Sequence, residues 1–338
     1  MSTMKALLSK TPGPPDTLVI EELPTPEPGP GEVRIKVAAC GINFPDSLII
    51  EDRYQLKPPR PFSPGAEVSG VVDAVGEGVT ALTVGQKVIG SAAFGGLSEM
   101  MVVPATRCMP MPDGMPFETA AAFTMTYGTS YHALKQRGRL QPGQTLLVLG
   151  AAGGVGLAAV EIGKAFGARV VAAVSSDEKA AMARSHGADV TLVYPHGLFD
   201  KDGLKALSAQ FKDAVGAEGA HVIYDPVGGD YAEPALRAIA WEGRFLVVGF
   251  PAGIPKLPLN LTLLKGCDIC GVFWGAFVAR DPKAHQANVA EMMALYAEGK
   301  LKPEVSQVFP FERAAEAITM LADRKALGKV VVKMGPAG

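Results

Sequence analysis

Apolar residues along this 338-residue chain follow two rhythms. Up to about residue 126 they form short runs broken by Gly and Pro, at Glu32 to Ala39, Glu67 to Val75, Gln86 to Ile89 and Ser98 to Val103. That spacing predicts a small, mostly β, barrel-like domain. From Thr145 onward, runs of strand length alternate with stretches of helical period. The expected strands are 145–149, 168–174, 189–193, 220–225, 244–249 and 268–274, and the expected helices are 155–166, 177–186, 203–215, 231–240 and 259–265. Six strands with five crossovers predict an α/β unit built on a doubly wound, six-stranded parallel sheet. After Gly275 come two amphipathic segments, 283–298 and 311–323, and a last strand, Lys329 to Lys333. A seventh strand in the parallel sheet would leave the barrel without a closing piece, so this tail is assigned to the first domain. The expected division is 1–127 with 276–338 for the β domain, and 128–275 for the α/β domain inserted in it.

The most informative segment is Gly150-Ala151-Ala152-Gly153-Gly154-Val155-Gly156, which follows Thr145 to Leu149 and opens a helix-like pattern through Phe166. A strand that reverses into a helix without side chains gathers backbone N–H groups and the positive helix end, where a pyrophosphate binds. Gly153, Gly154 and Val155 are the expected contacts. The glycines are spaced G-x-x-G-x-x-G rather than G-x-G-x-x-G, and a tight turn with no ligand would use the same residues. Gly156, Ala159 and Gly163 let the helix lie close against a sheet.

The next strand ends at Ser175-Ser176, where an NAD enzyme usually presents Asp or Glu to the ribose. Serine hydroxyls with Lys179 nearby accept a 2′-phosphate that a carboxylate would repel, so the expected cofactor is NADP(H). Ser176 or Asp177 also reads as a helix N-cap and Lys179 as a solvated charge; a cap leaves Lys179 free, so both readings can hold together.

Charge and cysteine narrow the partners. The net charge is −2, from 32 basic and 34 acidic residues interspersed, which gives no field for nucleic acid or anionic lipid. No apolar run reaches the roughly 18 residues of a membrane span, so a cytoplasmic location and small-molecule or self partners are expected. Cysteines stand at 40, 108, 267 and 270. Cys267 and Cys270 read as buried strand residues, and the second C-x-x-C of a four-thiolate zinc site is missing. The Pro-rich stretch Pro24 to Pro30 reads as a rigid turn.

Gly41-Ile42-Asn43-Phe44-Pro45-Asp46, Pro64-Gly65-Ala66-Glu67-Val68-Ser69-Gly70, the Ala-Ala-Gly-Gly-Val-Gly loop and Asp225-Pro226-Val227-Gly228-Gly229 occur in that order. As a set, over nearly the whole length, the chain resembles the medium-chain dehydrogenase/reductases, in the zinc-independent branch of NADPH:quinone oxidoreductases. The resemblance implies a Rossmann domain inserted in a GroES-like catalytic domain. In the zinc alcohol dehydrogenases of that superfamily, a cysteine follows the Gly-Ile segment and His-Glu follows Pro-Gly. Here Asn43 and Ala66 stand there, and neither an amide nor a methyl replaces a thiolate or an imidazole on Zn²⁺. The five histidines, 132, 186, 196, 221 and 285, form no i,i+4 pair. No metal site is expected.

Without a Lewis acid, the expected reaction is hydride transfer from NADPH to an acceptor already electron-poor. A quinone is the leading choice, an α,β-unsaturated carbonyl or enoyl thioester the alternative, and a non-catalytic NADPH-binding structural or sensor protein the reading of another class. By resemblance, Asn43 lies near the nicotinamide and its ribose, and Tyr54 lines the cleft and delivers a proton. Locally, Asn43 also reads as an Asx-turn residue and Tyr54 as a surface aromatic. The resemblance further implies that Thr129 contacts the carboxamide and Tyr194 lies beside the adenosine phosphate. Phe250 follows the fifth strand, and Gly249, Phe273, Trp274 and Gly275 line the nicotinamide end. Arg324 and Lys329 supply basic contacts, each of which also reads as a plain surface charge. The segment Ile269 to Trp274 resembles the edge strand through which such proteins form homodimers.

Overall fold

The computed structural model describes residues 2–195, 197 and 199–335, so His196 and the last three residues of the expected tail lie outside the described residues. The chain divides into two compact units, one formed by residues up to Met125 with those from Pro303 onward, the other by Thr126–Lys302.

In the first unit, β1 (Thr3–Leu8) and β2 (Val19–Pro24) pair antiparallel. The larger sheet contains β3 (Glu32–Ile42), β4 (Glu67–Val75), β5 (Lys87–Ser91), β6 (Met100–Pro104) and β7 (Cys108–Pro110). Along β3, Val33, Ile35 and Val37 are buried while Lys36 between them is exposed, the period-two pattern of a strand with one face on a core. The strand runs three residues past the expected Ala39. There both faces are covered and the alternation disappears, and a Cβ on Gly41 would strike the Ala121 carbonyl and the Glu67 carboxylate.

The second unit holds β8 (Thr145–Leu149), β9 (Arg169–Val174), β10 (Val190–Val193), β11 (Ala220–Asp225), β12 (Ile239–Val247) and β13 (Asp268–Gly271). All pairings are parallel, in the order β10–β9–β8–β11–β12–β13. The order reverses direction at β8, so the glycine segment leaves the sheet at the topological switch point, where open α/β sheets bind ligands.

Two expectations in this unit shift. The helix expected over 231–240 shrinks to Ala232–Leu236, because β12 begins at Ile239 and crosses an irregularity at Glu242, whose φ is +57°. The strand expected over 268–274 stops at Gly271, and Trp274–Arg280 is a helix instead.

The chain returns to the first unit as β14 (Val305–Pro310), not expected from the pattern, and β15 (Lys329–Lys333). The first unit's sheet order is β14–β15–β3–β4–β5–β7, with β6 also on β3. The return comes after residue 302 rather than 275. The helix Pro282–Ala297, expected with the β domain, packs in the second unit: Asn288 and Gln136 exchange two hydrogen bonds, and Glu291 accepts from Tyr131 and Lys135. An amphipathic period reports that a helix has a buried face but not which domain covers it.

Candidate active site

In the first unit the GINFPD and PGAEVSG segments meet β15. Register places Val330 opposite Ile42, which brings the preceding Lys329 beside Asn43. The Lys329 ammonium donates to the Ile42 carbonyl at 3.1 Å, Asn43 Oδ1 at 2.8 Å and Glu67 Oε1 at 2.5 Å. An ammonium has three donors, and all three are engaged. Asn43 Nδ2 donates in turn to Glu67 Oε1 at 2.9 Å and to the Gly41 carbonyl at 3.3 Å, while Glu67 Oε2 accepts the Met125 N–H at 2.8 Å. Glu67 and Lys329 are both buried. Lys329, for which a basic contact to the cofactor is expected, is not the alternative plain surface charge: β15 pairs with β3, and the ammonium is buried as the counter-ion of Glu67.

Asp46 lies three residues after Asn43, in the first turn of the helix Phe44–Ile49, the spacing of a capping box. Its carboxylate accepts the Asn43 N–H at 2.7 Å and the Gly65 N–H at 3.0 Å, tying the two motif segments together. Burial pushes its carboxyl up to about 6, against the backbone bonds from Asn43 and Gly65 and the charge of Lys329, with Glu67 adding to the rise. Burial first, then Asp46 and Glu67, holds the Cys40 thiol far above its usual range and so protonated. Tyr54 is half-buried against this core, and burial and then Asp46 raise its phenol. Among the described residues no group of three or more His, Cys, Asp or Glu is arranged to hold a metal.

In the second unit Gly150 takes φ +57° at the end of β8, a left-handed conformation open to glycine, and its carbonyl accepts the Gly153 N–H at 3.0 Å. Gly153 is then the N-cap of the helix Gly154–Ala165, whose first N–H groups have no acceptor within the helix. A Cβ at Gly156 would collide with the Gly150 carbonyl. Gly153 differs: its φ of −82° suits any residue, and a Cβ there would reach the Gly150 carbonyl only at 3.5 Å, an ordinary contact. The turn needs glycine at 150 and 156 for its own shape, but not at 153.

Behind the turn, Ser130 Oγ donates to the Val155 carbonyl at 2.8 Å and lies 2.8 Å from the Tyr224 hydroxyl. At the end of β9, Ser176 Oγ accepts the Lys179 N–H at 3.3 Å as a helix N-cap, and the Lys179 ammonium reaches Ser175 Oγ at 3.1 Å. The structure brings Ser175, Ser176 and Lys179 together: Ser176 caps the helix while the Lys179 ammonium donates to Ser175.

The remaining expected contacts lie on several elements. Tyr194 is buried, tilted against Tyr231 with ring centroids 4.8 Å apart and hydrogen-bonded to the Gly150 backbone, so it supports the turn from within. Thr129 lies inside the helix Thr124–His132. Gly249 and Phe250 follow β12 in a loop, with Phe250 exposed. Phe273, Trp274 and Gly275 sit at the head of the helix Trp274–Arg280 rather than at a strand end. The Trp274 indole occupies the space that a Cβ on Gly128 would fill. Arg324 is exposed, with φ +59°, just after the helix Ala314–Ala322. Glu161 and Asp225, both buried carboxylates, are not marked by any local spacing, whereas the N-x-x-D spacing announces Asp46.

Residues 29–113 match the alcohol dehydrogenase GroES-like domain family, and residues 154–298 the zinc-binding dehydrogenase family. A quinone oxidoreductase-like protein 2 homolog from Nematostella vectensis is 40% identical over 320 residues, covering 93% of this chain and 85% of that protein. The chain belongs to the medium-chain dehydrogenase/reductase superfamily, in its quinone oxidoreductase branch. Solved members of that superfamily superimpose closely. A mycobacterial structure complexed with NADPH is 30% identical, with a TM-score of 0.89 over 98% of this chain and 99% of that one. The Escherichia coli quinone oxidoreductase complexed with NADPH is 27% identical, with a TM-score of 0.87 over 98% and 100%.

Proposed function

We propose that the protein is an NADPH-dependent quinone reductase that works without zinc, as a cytoplasmic homodimer. Support for NADPH comes from the turn and from the group beside it. Gly150 and Gly156 shape a bare cradle, Gly153 leaves room for a diphosphate against the N–H groups of Gly154 and Val155, and Lys179 with Ser175 and Ser176 fits a 2′-phosphate. When bound, NADPH supplies a hydride from its nicotinamide ring.

What carries the zinc-independent reading is the fate of Asn43. Its amide is held between the Glu67 carboxylate and the Lys329 ammonium, a fixed cation in the core beside the metal-ligand position of the zinc enzymes. With Ala66 at the second such position, the donor set is one amide and one methyl, which does not fit Zn²⁺. An acceptor that needs no Lewis acid follows. Reduction of a quinone to a hydroquinone takes the hydride and one proton, and Tyr54, whose raised phenol stays protonated at neutral pH, or solvent gives the proton.

The edge strand β13 and its neighbours leave Leu259, Leu263, Leu264 and Phe273 exposed, an apolar edge that a second copy would cover. Among the described residues no helix is long and apolar enough to cross a membrane.

Oxidation of NADPH across an acceptor panel tests the reading. Turnover of 1,4-benzoquinone that chelators leave unchanged is the expected result. Far faster turnover of crotonyl or acryloyl thioesters would replace the quinone, loss of activity on chelation would remove zinc independence, and tight NADPH binding without oxidation of any acceptor would make the chain a non-catalytic binder.

A further inference from the structure

The helix Gly154–Ala165 buries Gly156 through Gly163, and all but one of those residues are small or aliphatic. The exception is Glu161, 3% exposed. Its Oε1 lies 2.6 Å from His186 Nδ1, and its Oε2 accepts the Tyr127 hydroxyl at 2.7 Å and the Lys302 N–H at 2.9 Å. A carboxylate only accepts, so Nδ1 is the protonated nitrogen of that ring. An aliphatic side chain would fill the same space without the desolvation cost of an ion. What the ion adds is direction, since each donor must sit in one place.

Those donors belong to the elements around the turn. His186 closes the helix Asp177–Ser185, whose first turn contains Lys179. Tyr127 lies one turn from Ser130 on the helix that donates to the Val155 carbonyl. Glu161 is therefore bonded to the helix of Lys179 and to the helix behind the diphosphate turn, while itself standing two turns along the helix that the turn begins. His186 and Glu161 border a recess of about 450 Å³, also lined by Lys164, Gly167 and Lys300.

We propose that Glu161 is a positioning residue for NADPH, holding the Lys179 helix in register with the glycine turn through His186; this rests on the NADPH reading above. A residue that merely stabilised the fold would weaken NADPH and NADH alike. One that places Lys179 weakens the phosphorylated coenzyme selectively.

Fluorescence titration of the full chain with NADPH and with NADH reads the difference. In His186→Gly, NADPH affinity should fall about ten-fold and NADH affinity less than about three-fold, and imidazole entering the vacated recess should restore the preference. Glu161→Gln, which is isosteric and keeps acceptors for Tyr127 and Lys302, should shift the ratio in the same direction by a smaller factor, and gives the reading if the histidine variant does not fold. Equal losses for both coenzymes, or an unchanged ratio in both variants, would overturn the proposal. A wild-type chain that binds neither coenzyme would overturn the NADPH reading itself, which separates the two failures.

Discussion

In the first unit the polar chemistry rests on side chains drawn from three distant segments, Asn43 with Asp46, Glu67, and Lys329. The second presents bare main chain at 150–156, and its side chains, Ser130, Tyr194 and Glu161, brace the elements behind that turn. The first arrangement is a buried charge network, in which removing one member leaves the others without partners. The second is a backbone shape, which a Cβ at Gly150 or Gly156 would disturb and a Cβ at Gly153 would not. Stability should therefore be most sensitive in the first unit and ligand affinity in the second.

The largest effect should come from Lys329→Met. It leaves the fully buried Glu67 carboxylate without its cation and Asn43 Oδ1 without its donor, which should cost about 3–5 kcal/mol of stability in urea unfolding. Pairing it with Glu67→Leu should recover part of that loss, since two apolar groups need no partners. A single variant as stable as wild type would mean that the ammonium contributes nothing there.

Gly153→Ala sharpens the contrast from the other side. With φ at −82° and an ordinary contact for the new methyl, the melting temperature should stay within a few degrees of wild type. NADPH affinity should nevertheless fall by about ten-fold or more, because the methyl occupies the path of the diphosphate. Gly156→Ala, which strikes the Gly150 carbonyl, should lower both stability and affinity. If Gly153→Ala left affinity unchanged, nothing would approach the turn at that point.

The same contrast explains what could be read from sequence. The second unit's strands follow from periodicity, and β8 and β11 fall at the expected residues, because a doubly wound sheet repeats one local pattern. Ser175, Ser176 and Lys179 meet because they lie within one turn of each other. The first unit's network is non-local. That Lys329 is buried could not be read locally, because its burial depends on β15 pairing with β3 across 287 residues of chain. Its partner Glu67 stood in a recognisable motif, yet nothing local shows which cation it meets. The domain return was misplaced for a related reason: the helix Pro282–Ala297 is anchored by Gln136 and Lys135, far back in the chain.

A smaller effect should follow from Lys179→Glu. The ammonium beside Ser175 becomes a carboxylate, which should weaken NADPH by about ten-fold or more and NADH by less than about three-fold, measured by titration of each coenzyme. Equal losses would remove Lys179 from phosphate recognition and leave it as a solvated helix charge.

The smallest effect concerns the pH dependence of stability. Asp225 ends β11, and its Oδ1 accepts the N–H groups of Val227 and Gly228, each at 2.8 Å. Burial outweighs those bonds and pushes the carboxyl up to about 6 from an ordinary 3.8. A folded-state value above the unfolded one means that the folded chain binds this proton more tightly. Its contribution to stability is therefore complete below pH 3.8 and lost as pH rises through about 6. Between pH 5 and pH 7 the wild type should lose on the order of 1–2 kcal/mol from this group, and Asp225→Asn should flatten that part of the curve. Asp46 in the first unit also titrates near 6, but beside Lys329 and Glu67 its protonation changes the whole network. Asp46→Asn should therefore alter stability at every pH, whereas Asp225→Asn changes mainly the slope. Parallel slopes for wild type and Asp225→Asn would show that the main-chain bonds of Val227 and Gly228 outweigh burial at that carboxylate.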